Sequence, residues 1–263
     1  MRTRYRKILV AAALPALASM AILASAATAA TPAPPYQDFA GCPSSAEQPF
    51  VGECLKYEFT GGHIGFGKRE IPITNTIVLR GSIEQETENW LNNSEGGIVP
   101  VRQTVPGGLI GLTGYSWLDQ AVESSNQLKL YATVELAGNV GSLLQPTLNV
   151  PVKVHLENPL LGSGCHVGSN ASPITLHLAT TTPLGPFQEE ASRPEVIKAT
   201  GGVLSDNTYA VPGASGCTFN WGSIHQSIDS LVNSAYGLPA AAGKNSTALN
   251  YSLSAVLPGV VYP

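Results

Sequence analysis

Past its first thirty residues, this 263-residue chain has no apolar run long enough to cross a bilayer, so a helical membrane protein is excluded. Charge is scarce: only 12% of residues are Asp, Glu, Lys or Arg, which leaves few candidates for acid–base chemistry. The four cysteines include no Cys-x-x-Cys pair, so the closely spaced ligands of a structural zinc site are missing. The aspartate-rich spacing of a calcium loop is missing too. No Arg-Arg pair opens the chain, which removes direct support for a twin-arginine export signal.

What is present starts with "MRTRYRKILVAAALPALASMAILASAATAATPAPP". Arg2, Arg4, Arg6 and Lys7 precede an apolar run that ends in small residues at Ala27-Thr28-Ala29. That order is the layout of a secretory signal peptide, expected over residues 1–30 with cleavage near Ala29 or Ala30. Residues 31–41, "TPAPPYQDFAG", read as an extended Pro-rich leader, and 42–263 as a single β-rich extracellular domain. Cleavage removes four of the 14 basic residues and none of the 18 acidic ones, leaving a net charge of −8. Such a chain repels nucleic acid and anionic lipid surfaces. With 27 Gly, 20 Pro and 43% apolar residues, the composition favours many short strands and opposes disorder.

Alternation locates the strands. In "LKLYATVEL" (128–136), Leu128, Leu130, Ala132, Val134 and Leu136 point one way, with Lys129, Tyr131, Thr133 and Glu135 opposite. "VPVKVHL" (150–156) and "ITLHL" (174–178) repeat the pattern. "IPITNTIVLRGSI" (71–83) and "TALNYSLSAVL" (247–257) are further strands. One helix is expected within "NWGSIHQSIDSLVNSAYG", from a stripe of Ile224, Ile228, Leu231, Val232 and Ala235. Asn220 would cap it and Gly237 with Pro239 would stop it. The spacing between strands is too short for crossover helices, so the expected fold is an antiparallel β-sandwich or distorted barrel with one short helix in its C-terminal half.

An even number of cysteines in an exported chain predicts disulfides among Cys42, Cys54, Cys165 and Cys217. Three pairings are open; the simplest joins Cys42 to Cys54 and Cys165 to Cys217. Glycine precedes both Cys165 and Cys217, in "GSGC" and "GASGC", and permits close backbone approach. Ser163, Cys165 and His166 crowd one short stretch, but Leu161 and Cys165 stand where a nucleophile elbow around Ser163 needs glycines. A disulfide-tied hairpin is therefore expected there, with no catalytic residue.

His155 and His177 fall on outward strand faces and read as solvated imidazoles. Glu84, Glu86 and Glu88 in "SIEQETENW" read as one acidic strand face at a solvated edge. With Asp119, they are the only clustered acids for the alternative function, a secreted hydrolase that cleaves glycans through paired carboxylates. No metal site and no cofactor are expected. "VPGGLIGLTGYSWL" (105–118) crowds apolar residues onto a Gly-rich segment. Leu109, Ile110, Leu112, Tyr115 and Trp117 are its candidate binding surface, for an envelope component, lipid, glycan or protein.

The stretch "LNVPVKVHLENPLLGSGCHVGSNASPITLHLATTTPLGP" (148–186) resembles a family of uncharacterised exported proteins of actinobacteria. The resemblance extends to "VPGGLIGL" (105–112), "VPGASGCTF" (211–219) and "GLPAAAGKNSTALN" (237–250). It implies a disulfide-containing secreted or cell-envelope protein and transfers no activity. The expected function is a non-enzymatic binding or surface-structural role outside the cell.

Overall fold

The period-2 segments do become strands. The computed structural model describes residues 30–109, 111, 120–122, 124–143, 147–221 and 224–263. The first half holds β1 (Val51–Phe66), β2 (Arg69–Pro72), β3 (Ile77–Glu84), β4 (Trp90–Leu91), β5 (Gly97–Val99) and β6 (Arg102–Val105). Next come β7 (Leu130–Leu136), β8 (Thr147–Glu157), β9 (His166–Val167), β10 (Ile174–Thr182), β11 (Gln188–Glu190), β12 (Arg193–Asp206) and β13 (Ala214–Ser215). A hairpin, β14 (Thr218–Trp221) and β15 (Ile224–Ser227), precedes helix α1 (Asp229–Tyr236). Strand β16 (Thr247–Val256) and the helical turn α2 (Pro258–Val261) follow.

Fourteen of the described strands form one antiparallel sheet that curls into a half-barrel: nine follow the path β13-β9-β8-β10-β12-β16-β1-β3-β4, and β2, β5, β6, β7 and β11 pair beside it. This is the barrel form of the expected fold. The concave side is the main core: Leu130, Ala132 and Val134 of β7, the valines and leucines of β8, and Ile174, Leu176 and Leu178 of β10 are all buried there. β1 bends at a bulge between Phe59 and Gly61. Gly62 lies just past it at φ 100, where an added Cβ would fall 1.9 Å from the Ala248 carbonyl oxygen, so only glycine fits.

A second core covers the other face of β1 and β16. Phe39, fully buried, joins Cys42, Val51, Cys54, Val196, Val256 and Val261. Residues 31–41 are therefore not a free leader in this fold. They contain a 3-10 turn at Gln37–Phe39, and the Ala33 N–H donates to the Val261 carbonyl over 2.8 Å. The Cys42–Cys54 disulfide staples the segment to β1.

Beside this core runs a chain of ion pairs. Asp38 accepts from Lys56 Nζ and Arg193 Nη1, each at 2.6 Å, and Glu58 accepts from Lys198 Nζ at 2.6 Å. Burial opposes ionisation of Asp38 and Glu58, but their cationic partners outweigh it and hold both carboxyls below the ordinary range. A carboxylate with a depressed folded-state pKa stabilises the fold above its unfolded pKa, and that stability is lost as pH falls through the folded value. The thermal midpoint is thus expected to hold down to about pH 5 and to fall below about pH 4. A midpoint unchanged to pH 3 in a pH series of thermal melts would show that the network contributes nothing.

The expected helix is shorter than its apolar stripe implied. Asn220 and Ile224 belong to the β14–β15 hairpin, and α1 starts at Asp229. Val232 and Tyr236 are buried and Leu231 is exposed. Gly237 does end the helix, in the left-handed region at φ 65. Residues 1–29 of the expected signal peptide lie outside the described residues. Among the described residues no helix is long and apolar enough to cross a membrane.

Candidate functional site

The outer face of β7, β8 and β9 collects the polar residues that alternate with the core. β8 has neighbours on both edges. His155 stands opposite Thr133 of β7 on one side and His166 of β9 on the other. Glu135 pairs with Lys153, one step along the same face, which makes it the diagonal neighbour of His155. Glu135, His155 and His166 each present one ligating atom, and these atoms lie within 4.8 Å of one another. Glu135 Oε1 is 3.9 Å from His155 Nδ1, and Oε2 is 3.9 Å from His166 Nε2. The two imidazoles stack at 4.6 Å between centroids, 13° from parallel.

β9 is only two residues long and is held from outside. Cys165, next to His166, is bonded to Cys217, so the second disulfide anchors the strand. The Leu156 N–H donates to the Cys165 carbonyl at 2.9 Å. His166 Nδ1 is 3.0 Å from the Gly164 carbonyl oxygen. That oxygen only accepts, so Nδ1 carries a proton, and in the neutral ring the lone pair is on Nε2. Close backbone approach at this turn depends on Gly216, at φ 70, where a Cβ would sit 2.4 Å from the Gly164 oxygen.

Alongside lies a cleft of about 450 Å³, lined among others by Arg102, Lys129, Tyr131, His155, Glu157 and Asn158. Asn158, Glu157 and Arg102 are the polar groups that hydrogen bonds hold in place. Asn158 is buried and donates through Nδ2 to the carbonyls of Gln127 and Lys129 at 2.8 and 2.7 Å, which ties down one wall. Glu157 accepts from Arg102 and, at 2.8 Å, from the Thr133 hydroxyl. Burial raises the Glu157 pKa, but these hydrogen bonds prevail and keep its carboxyl below the ordinary range. The Arg102 guanidinium lies over the Tyr131 ring at 5.7 Å.

The residues singled out in the sequence scatter. Both disulfides form in the simplest pairing, Cys42–Cys54 and Cys165–Cys217. Ser163 is exposed in the turn at the cleft, and no hydrogen bond joins it to an imidazole among the described residues. His177 pairs with Asn149, six positions along β8 from His155, and does not meet it. His155 and His166 are half-buried and stacked rather than freely solvated. Glu84 closes β3, but Glu86 belongs to the turn that follows and Glu88 leaves it at φ 50, so the three acids share no strand face. Leu109 packs against the main core; Ile110, Leu112, Tyr115, Trp117 and Asp119 lie outside the described residues. Glu135 and His155 were visible on outward faces in the sequence. Their meeting with His166 was not, because it depends on a register set by a disulfide. No protein-family model matches the chain, and no curated protein is returned as a relative.

Proposed function

We propose that this is an exported protein, secreted or held at the cell envelope, with a non-enzymatic binding role, and that its partner sits in the cleft on the outer face of β7 and β8. The hydrogen-bonded polar groups of the cleft carry the reading. A carboxylate held ionised by Arg102 and Thr133 is a permanent acceptor at neutral pH and a poor general acid. The acids available to a glycan hydrolase gain no support, since Glu84, Glu86 and Glu88 surround a turn. Tyr131 beside Arg102, Lys129 and Glu157 suits a hydroxyl-rich glycan better than an acyl chain. Two disulfides with fully buried cysteines support an oxidising compartment, as does the resemblance of 148–186 to exported actinobacterial proteins.

The test is retention on isolated envelopes of the producing organism. The oxidised protein should sediment with them, and Tyr131→Ala and Arg102→Ala should each cut the bound fraction about tenfold, the loss of a contact worth ~1.4 kcal/mol. Equal retention of both variants, or no retention of the parent protein, contradicts the proposal.

A further inference from the structure

We infer that Glu135, His155 and His166 form a binding site for one divalent transition-metal ion of the zinc class. The inference rests on the donor set and stands whether or not the neighbouring cleft holds a glycan.

Two imidazoles and one carboxylate are the donors that zinc, copper and nickel take, whereas calcium and magnesium require oxygen shells. The second observation is the state of the two rings. His166 already donates Nδ1–H to the Gly164 carbonyl and turns its Nε2 toward Glu135. Metal-bound histidines are oriented by the same kind of outer hydrogen bond. His155 turns its Nδ1 toward the same carboxylate, 3.9 Å from Glu135 Oε1.

The movement required is small. Tetrahedral zinc with bonds of about 2.0 Å sets its ligand atoms about 3.3 Å apart, so atoms now within 4.8 Å must close by about 1.5 Å or less. Parallel rings aim their lone pairs along parallel planes, so the two imidazoles must tilt out of their stack to share an ion. Both are side-chain rotations; the strands stay put because β9 is fixed by Cys165–Cys217. Lys153 Nζ, 3.4 Å from Glu135 Oε2, competes for the carboxylate and must swing away on its flexible stem. Three protein donors leave a fourth position for water or a group from a partner. A hollow of about 210 Å³ lined by Lys153, His166 and Ser215 lies next to it.

Calorimetric titration of the oxidised protein with zinc sulfate tests the site. One equivalent should bind. His155→Ala, His166→Ala and Glu135→Gln should each weaken binding about 10- to 100-fold. Lys153→Ala should tighten it, His177→Ala should leave it unchanged, and calcium or magnesium should give no saturable signal. Thermal melts establish that each variant is folded. Electron paramagnetic resonance of the parent protein with one equivalent of Cu²⁺ needs no variant and should show coupling to two imidazole nitrogens. Absence of saturable zinc binding, zinc binding that survives in the folded His155→Ala/His166→Ala double variant, or a copper spectrum without two nitrogens would overturn the assignment. Envelope retention is read separately, so the two proposals fail independently.

Discussion

Replacing Cys165 and Cys217 together by alanine is expected to lower the unfolding free energy by about 4 kcal/mol. The bridge spans 52 residues, and closing a loop of that length removes about 4 kcal/mol of conformational entropy from the unfolded chain. The 12-residue Cys42–Cys54 loop is worth about 3 kcal/mol on the same basis, so the second bridge dominates. Its effect is also local. Cys165 and Cys217 are fully buried, and the bridge fixes β9 and the Gly164 carbonyl that orients His166. The double variant should therefore lose metal affinity along with stability, whereas Cys42→Ala/Cys54→Ala should lose stability alone. Denaturant unfolding measures the first effect. A loss under about 1 kcal/mol would mean that β9 and the β14–β15 hairpin are held by their packing without the bond.

Phe39→Ala should cost about 3–5 kcal/mol, the usual loss for truncating a buried phenylalanine. Phe39 has no exposed surface and sits between β1 and the C-terminal turn α2. Among the described residues the second core has seven buried members, so it has little material with which to refill the space. The cavity would also loosen Asp38, one residue away, from Lys56 and Arg193, so the acid sensitivity described above should shrink in the same variant. Chemical denaturation of Phe39→Ala beside Phe50→Ala, whose ring is 59% exposed, separates burial from aromatic content. Similar losses for the two would show that residues 31–41 add nothing to the fold.

The strands were legible where one face is core and the other solvent. β7, β8 and β10 follow from alternation because each lines the half-barrel on one side; β16 alternates at its start and is buried on both faces toward its end, where the second core covers it. The stretch from 218 to 228 was not legible as a helix start. Ile224 and Ile228 fit a helical stripe, but Thr218-Phe219-Asn220-Trp221 and Ile224-His225-Gln226-Ser227 pair as strands. Aromatic and β-branched residues on both sides of Gly222-Ser223 are a hairpin signal that outweighs the stripe. Glu84, Glu86 and Glu88 mimic a strand face by spacing alone, and the Thr87 hydroxyl bonded to Glu84 marks a turn instead. Residues 31–41 looked separate because proline dominates their composition, yet Phe39 within them is core. The candidate metal site was half visible: Glu135 and His155 sit on predicted outward faces. His166 lies in a two-residue strand, too short for any periodicity, and its place depends on a covalent bond 52 residues long in sequence.

The most direct test of an exported, disulfide-stapled protein is its intact mass, without reduction, when recovered from the medium or envelope of the producing organism. The account predicts a chain beginning near Ala30 or Thr31 and four hydrogens lighter than its reduced form, one pair for each of the two disulfides. A chain found inside the cell with its first thirty residues intact, or one carrying free thiols at Cys165 and Cys217, would contradict it.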